Sequence, residues 1–149
     1  MAAFQGIAQT TEVALSAATA KTVVQIAAPA NHRLKVLRVG FFFDGTSTTA
    51  EPVQVTLSRQ SSSGTMSALT PVPLDDSLSE TLQTLAQFNA SAEPTTGATI
   101  DSCECHPQQG FEVIYPLGQE PIVGGGDKVG LVCTAPASVN VRGKLVFEE

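Results

Sequence analysis

The chain has no tryptophan, one tyrosine (Tyr115), two histidines (His32 and His106) and three cysteines (Cys103, Cys105 and Cys133). Each scarcity closes a route to function. Sugar clefts rest on aromatic platforms, which a single tyrosine cannot supply. A cupin-type metal site needs a His-x-His pair, a glutamate and a further distant histidine, more imidazoles than the chain holds. An odd cysteine count, with two thiols one residue apart, makes a poor disulfide framework. Cys103, Cys105 and His106, within Cys-Glu-Cys-His, are the best metal candidates by residue type. Zinc's tetrahedron asks for a second ligand pair, and only Cys133 or His32 is left to help. The expectation is therefore reduced, packed thiols, with no metal and no cofactor.

Charge is also scarce. Only 15% of residues are charged, against a usual share of about 25%. The polar surface must then be built largely from Ser, Thr, Gln and Asn. A net charge of -6 opposes a phosphate-backbone partner. The only basic cluster, Arg33, Lys35 and Arg38, reads as a solvated strand edge rather than a nucleic-acid contact. No apolar run approaches the roughly 18 residues of a membrane span. The N-terminus shows neither a basic segment nor a continuous apolar stretch, so Ala18-Thr19-Ala20 only imitates a cleavage site and no signal peptide is expected.

What is present is period-two patterning. From Val139, the residues Val139, Val141, Leu145 and Phe147 fall on one face, and Asn140, Arg142, Lys144 and Glu148 on the other. That is a strand with one dry side. Val53 to Ser58 repeats the pattern. Leu34 to Asp44 alternates at first, then turns apolar on both faces at Val39-Gly40-Phe41-Phe42-Phe43, which demands cover from both sides. A facing sheet is one cover; a neighbouring subunit or the N-terminal segment is the expected second. Further strands are read at Thr22–Ala28, Met66–Val72, Leu85–Ala92, Ala98–Cys105, Phe111–Tyr115 and Val129–Thr134. Residues 1–20 form a first strand or an extended arm, and residues 21–149 a single domain. Ser77-x-x-Glu80 has the form of a capping box, with Leu78, Leu82 and Leu85 at helical spacing, so one short helix is expected in a long crossover. The fold class is all-β: about eight to ten short strands in a jelly-roll-like β-sandwich.

Catalytic motifs are missing. No Gly-x-Ser-x-Gly elbow occurs. Gly124-Gly125-Gly126-Asp127-Lys128 resembles a phosphate loop only in its glycines, because it precedes a strand rather than a helix. Its plainer reading is a loop needing positive φ or passing close to other backbone. Carboxylate pairs such as Asp75-Asp76 lie in expected loops, where they are solvated. No catalytic residues are assigned and the chain is not expected to be an enzyme. Phe111 and Phe147 are read as core. The candidates for contact with a partner are Phe4, Ile7, Phe41, Phe43, Phe88, Ile122 and Val123.

Several stretches carry a resemblance. Ile114-Tyr115-Pro116-Leu117-Gly118-Gln119-Glu120-Pro121, Gly124-Gly125-Gly126, Cys133-Thr134-Ala135-Pro136 and Val139-Asn140-Val141 are similar to small structural proteins of tailed phages. Leu34–Gly40 and Asn89–Thr95 fit the same pattern. From about residue 20 onward the chain most resembles the capsid cement, or decoration, proteins. The resemblance implies a β-sandwich that trimerises on the outside of an icosahedral head and clamps neighbouring major capsid proteins. It implies a virion location after synthesis in the host cytoplasm, and carries over no catalytic residues. Alternatives are a tail or head–tail connector protein with a ring of other symmetry, or a trimeric jelly-roll binding module.

Overall fold

The structure is a computed structural model and describes residues 4–149. Thirteen strands and no helix form among these residues: β1 (Gln5–Gln9), β2 (Val13–Leu15), β3 (Ala20–Ala27), β4 (Leu34–Phe43), β5 (Val53–Gln60), β6 (Thr65–Leu69), β7 (Val72–Pro73), β8 (Leu85–Ala92), β9 (Thr96–Cys105), β10 (Gly110–Ile114), β11 (Ile122–Val123), β12 (Lys128–Thr134) and β13 (Val139–Glu148). They build two antiparallel sheets packed face to face, a β-sandwich. Sheet I runs β10-β4-β13-β1-β7, with β11 also on β4 and β2 also on β13; sheet II runs β6-β8-β3-β12-β5-β9.

The period-two patterns become the core. Leu34, Val36, Val39 and Phe41 of β4 and Val141, Leu145 and Phe147 of β13 point inward from sheet I. Val24 and Ile26 of β3, Val53, Val55 and Leu57 of β5, and Val129, Leu131 and Cys133 of β12 meet them from sheet II. Gly143 lies inward on β13, where an added Cβ would press on Val23 and Leu131, so the missing side chain lets the sheets approach.

The N-terminal segment is part of the sandwich. β1 and β2 run one after the other along β13, with Gly6 opposite Phe147, Ala8 opposite Leu145 and Val13 opposite Val141. Thr10 bridges the gap between them: its amide donates to the Gly143 carbonyl (2.9 Å) and its hydroxyl accepts the Gly143 amide (3.0 Å). Beyond β1 and β13, Phe4 and Glu149 exchange backbone bonds of 3.2 and 2.9 Å.

The expected short helix is absent. Asp75 takes both the Ser77 amide (2.9 Å) and the Ser77 hydroxyl (2.6 Å), so Ser77 cannot cap a helix. The amides of Gln83 and Thr84 donate instead to the Glu149 carboxylate at 2.7 and 2.8 Å. Leu82 packs on the core while Leu78 and Leu85 stand in solvent, so the three leucines share no face. A long-range carboxylate has replaced the local bonds a helix would use. The glycine run behaves as a turn: Gly126 has φ of 84°, and Gly125 lies against the Ala30 carbonyl, where a Cβ would collide.

Candidate functional site

The metal candidates by residue type do not converge. Cys103 and Cys105 both point into the sandwich from β9, opposite Val55 and Val53, and Cys133 is fully enclosed on β12. His106 lies in the following turn, where its Nδ1 accepts the Gln108 amide (3.2 Å). Among the described residues no group of three His, Cys, Asp or Glu side chains could hold a metal ion. Burial pushes all three thiols above their usual range, Cys133 furthest; Asp101 adds to the rise at Cys103.

Two carboxylate clusters close the molecule's margins. Tyr115 donates to Asp101 (3.0 Å) across the open side of the sandwich, and burial followed by this bond pushes its phenol far above the usual range. Asp44 accepts the Asn140 amide (3.0 Å) and side chain (2.9 Å), and these bonds hold its carboxyl below the usual range. Glu12 accepts the same Asn140 side chain (2.6 Å). Each is an inter-strand tie, without a nucleophile and base in hydrogen-bond reach of one another. The dent of about 310 Å³ between the 45–53 loop and the β12–β13 turn is mostly apolar, with Val53, Pro107, Pro136 and Val139 in its lining beside the Ser47 and Ser138 hydroxyls.

Inside sheet II runs a polar chain. Gln25 donates to Gln60 Oε1 (2.6 Å) and to the Ser62 carbonyl (3.0 Å); Gln60 donates to Thr22 Oγ1 (3.0 Å); the Thr22 hydroxyl donates to Glu93 (2.7 Å). Glu93 also accepts the Thr22 amide, which β8 leaves unpaired where Asn89 takes φ of 57° and turns away. The buried members, Thr22, Gln25 and Gln60, are satisfied within this chain of bonds, which ties β3 to β5 across the intervening β12.

The surface is the more distinctive part. The outer face of sheet I carries Lys35, Arg38, Arg142 and Lys144, half of the eight basic residues of a chain with fourteen acidic ones. Glu112 is shared between Arg38 (2.9 Å) and Lys144 (3.1 Å), and Glu148 pairs with Lys35 (3.2 Å). The Lys144 amine lies 5.3 Å from the centre of the exposed Phe42 ring, a cation–π contact. The aliphatic stem of Lys144 covers Gly40. This intrachain cover reaches only part of the doubly apolar end of β4, for which a neighbour or the N-terminal segment was expected, and Phe42 stays 43% exposed.

The seven expected contact residues scatter. Phe4, Phe41 and Val123 are buried in this chain's own interior and cannot meet a partner without unfolding; Phe41 and Val123 face sheet II, and Phe4 is pinned beside Glu149. Ile7, Phe43 and Phe88 are half-buried, and Ile122 is exposed. Phe147 is core as expected, but Phe111 is 56% exposed. It sits on the edge strand β10, with one ring face on Phe41 (6.3 Å between centroids) and nothing beyond. Ile114 and Leu117 beside it, and Val72, Leu74, Leu78 and Leu85 elsewhere, are exposed apolar residues that sequence reasoning missed. Their signal was weak: in a strand next to a turn, an edge residue reads like a core residue.

No protein-family model matches the chain, and no curated protein matches its sequence. Among the described residues no helix is long and apolar enough to cross a membrane.

Proposed function

We propose that this chain is a structural virion protein, a capsid cement protein of a tailed phage, which trimerises and seats the outer face of sheet I on the head. The strand and turn stretches that resemble the decoration proteins suggest the class. The observation that carries the reading is the unequal sharing of charge. The outer face of sheet I sets Lys35, Arg38, Arg142 and Lys144 against two acids, Glu112 and Glu148, and leaves Arg142, opposite the exposed Phe42, without an ion pair among the described residues, on a molecule whose net charge is -6. Such a face suits an acidic protein surface, where opposite potentials set orientation and speed of docking. Phe4 and Glu149 bind each other through their backbones, and Glu149 also holds the 83–84 backbone.

The test uses expanded heads of the phage that encodes the chain, prepared without it. Purified protein is added and the heads are pelleted. Saturable binding is expected, weakened by Arg142→Glu and by about 1 M salt, where the Debye length falls to roughly 3 Å. An oligomer that leaves heads bare contradicts head binding and turns the reading to a tail or connector part.

A further inference from the structure

The turn from β2 to β3 holds a residue that its shape disfavours. Ser16-Ala17-Ala18-Thr19 closes through the Thr19 amide on the Ser16 carbonyl (3.4 Å), and Ala18 takes φ of 54°. A turn position of this kind favours Gly or Asn, because a Cβ crowds the backbone there. The other positive-φ positions among the described residues follow that preference: Gly64, Asn89, Gly118 and Gly126. All four residues of the turn are exposed, so packing does not hold it. It is tied to the body of the fold by the Ala18 amide, which donates to the Ala135 carbonyl (2.7 Å).

The segment before the turn is different. Residues 4–15 lie along β13 in two steps, with Gln5 opposite Glu148, Gln9 opposite Lys144 and Val13 opposite Val141. Phe4, Ala8, Val13 and Leu15 are buried. The segment must therefore be seated on a β13 for the core to close. Nothing in these contacts requires that β13 to belong to the same copy.

We infer that residues 4–15 are exchanged between copies of this chain: the 16–19 turn opens, and each copy lays its β1 and β2 along the β13 of the next. Every strand pair and buried side chain of the segment is kept, and the strained turn is released. Exchange of an identical element is for this reason a low-cost route to assembly. The receiving site selects its occupant, since it is the site this chain's own segment fits. Fully extended, the stretch from Leu15 to Ala20 reaches about 17 Å. Joined copies therefore meet at the end of the sandwich that holds the β12–β13 turn, whose Pro136 and Ala137 already line the mostly apolar dent. Passing the segment on in one direction closes a ring once the rotation per step allows it. The inference rests on the self-association in the reading above and is independent of the shell.

The experiment uses the full chain. Gln5→Cys with Glu148→Cys places two thiols across the β1–β13 pair, at a strand spacing that a disulfide spans. The protein is oxidised, denatured and run on a non-reducing gel, with Gln5→Cys alone as the control for the native thiols. Chains linked to one another are expected in the double variant and not in the control. Bonds confined to single chains, in a sample that sedimentation velocity shows to be an oligomer, overturn the inference and leave the self-association reading standing. A chain that is monomeric at every concentration removes both. The turn supplies a second measurement. Ala18→Pro bars positive φ and is expected to leave the exchanged form alone, an oligomer that persists on dilution. Ala18→Gly relieves the turn and is expected to raise the monomer share about fivefold. A folded, monomeric Ala18→Pro overturns the inference. If circular dichroism shows Ala18→Pro unfolded, the cysteine pair decides; if the disulfide does not form, the proline variant decides.

Discussion

Phe147 has no exposed surface, and its ring fills the space that Gly6 leaves open across the β1–β13 pair. Truncating it to alanine leaves a cavity between the sheets and should cost about 3–5 kcal/mol, read as a lower urea midpoint at unchanged slope. Cys133 and Tyr115 set the response to alkali. Burial raises both above their usual ranges, and Asp101 adds to the rise at Tyr115. In the unfolded chain the thiol ionises near pH 8.5 and the phenol near pH 10, as a rough guide. In the folded chain both stay neutral. The unfolded state therefore binds fewer protons as pH rises, and stability present at pH 7 drains away above about pH 8.5. The expected result is a melting temperature that falls from about pH 8.5 upward, with a shallower fall in Cys133→Ala. A flat profile to pH 11 would mean that these groups reach solvent in the fold.

Elements add what single residues do not. Glu149 joins three segments: its backbone pairs with Phe4, and its carboxylate takes the Gln83 and Thr84 amides together with the Thr84 hydroxyl. Glu149→Ala should cost about 1.5–3 kcal/mol, the range for hydrogen bonds to a charged group. Hydrogen exchange should show the 83–84 amides losing protection first. Deleting residues 1–11 strips β1 from β13 and exposes the inner side of Phe147 and Leu145 along an unpaired strand. The shortened chain is expected to aggregate or fail to melt cooperatively; a normal melt would show that the N-terminal strand is dispensable.

The same elements show what was legible in sequence. β8 is found at Leu85–Ala92 as expected, and β4, β5, β12 and β13 lie within two residues of their expected bounds. Their patterning is a property of the segment itself, because one side is dry. The helix expected near Ser77 failed because its competitor, the Glu149 carboxylate, is 65 residues or more away in the chain. Phe4, Phe41 and Val123 failed as contact candidates for a similar reason. Phe41 and Phe111 look alike in sequence, and only the strand order puts one inside and the other on an edge. Sheet order depends on pairings such as β1 with β13, which join the two ends of the chain.

As one body, the sandwich carries exposed apolar side chains at both edges of sheet I. Nothing in folding requires that arrangement: the core closes without Leu117, Leu74 or Leu78, which lie outside it. Folding does pay a kinetic cost, since long-range pairing across the whole chain places it among the slow all-β folders, with refolding expected in roughly milliseconds to seconds. Stopped-flow refolding checks that expectation. On the proposed reading, the molecule that such exposed apolar edges meet first is a second copy of the chain. Native mass spectrometry of the full-length protein across a concentration series tests this at its root. Three copies per particle is the expected result, and a single copy at every concentration would contradict it.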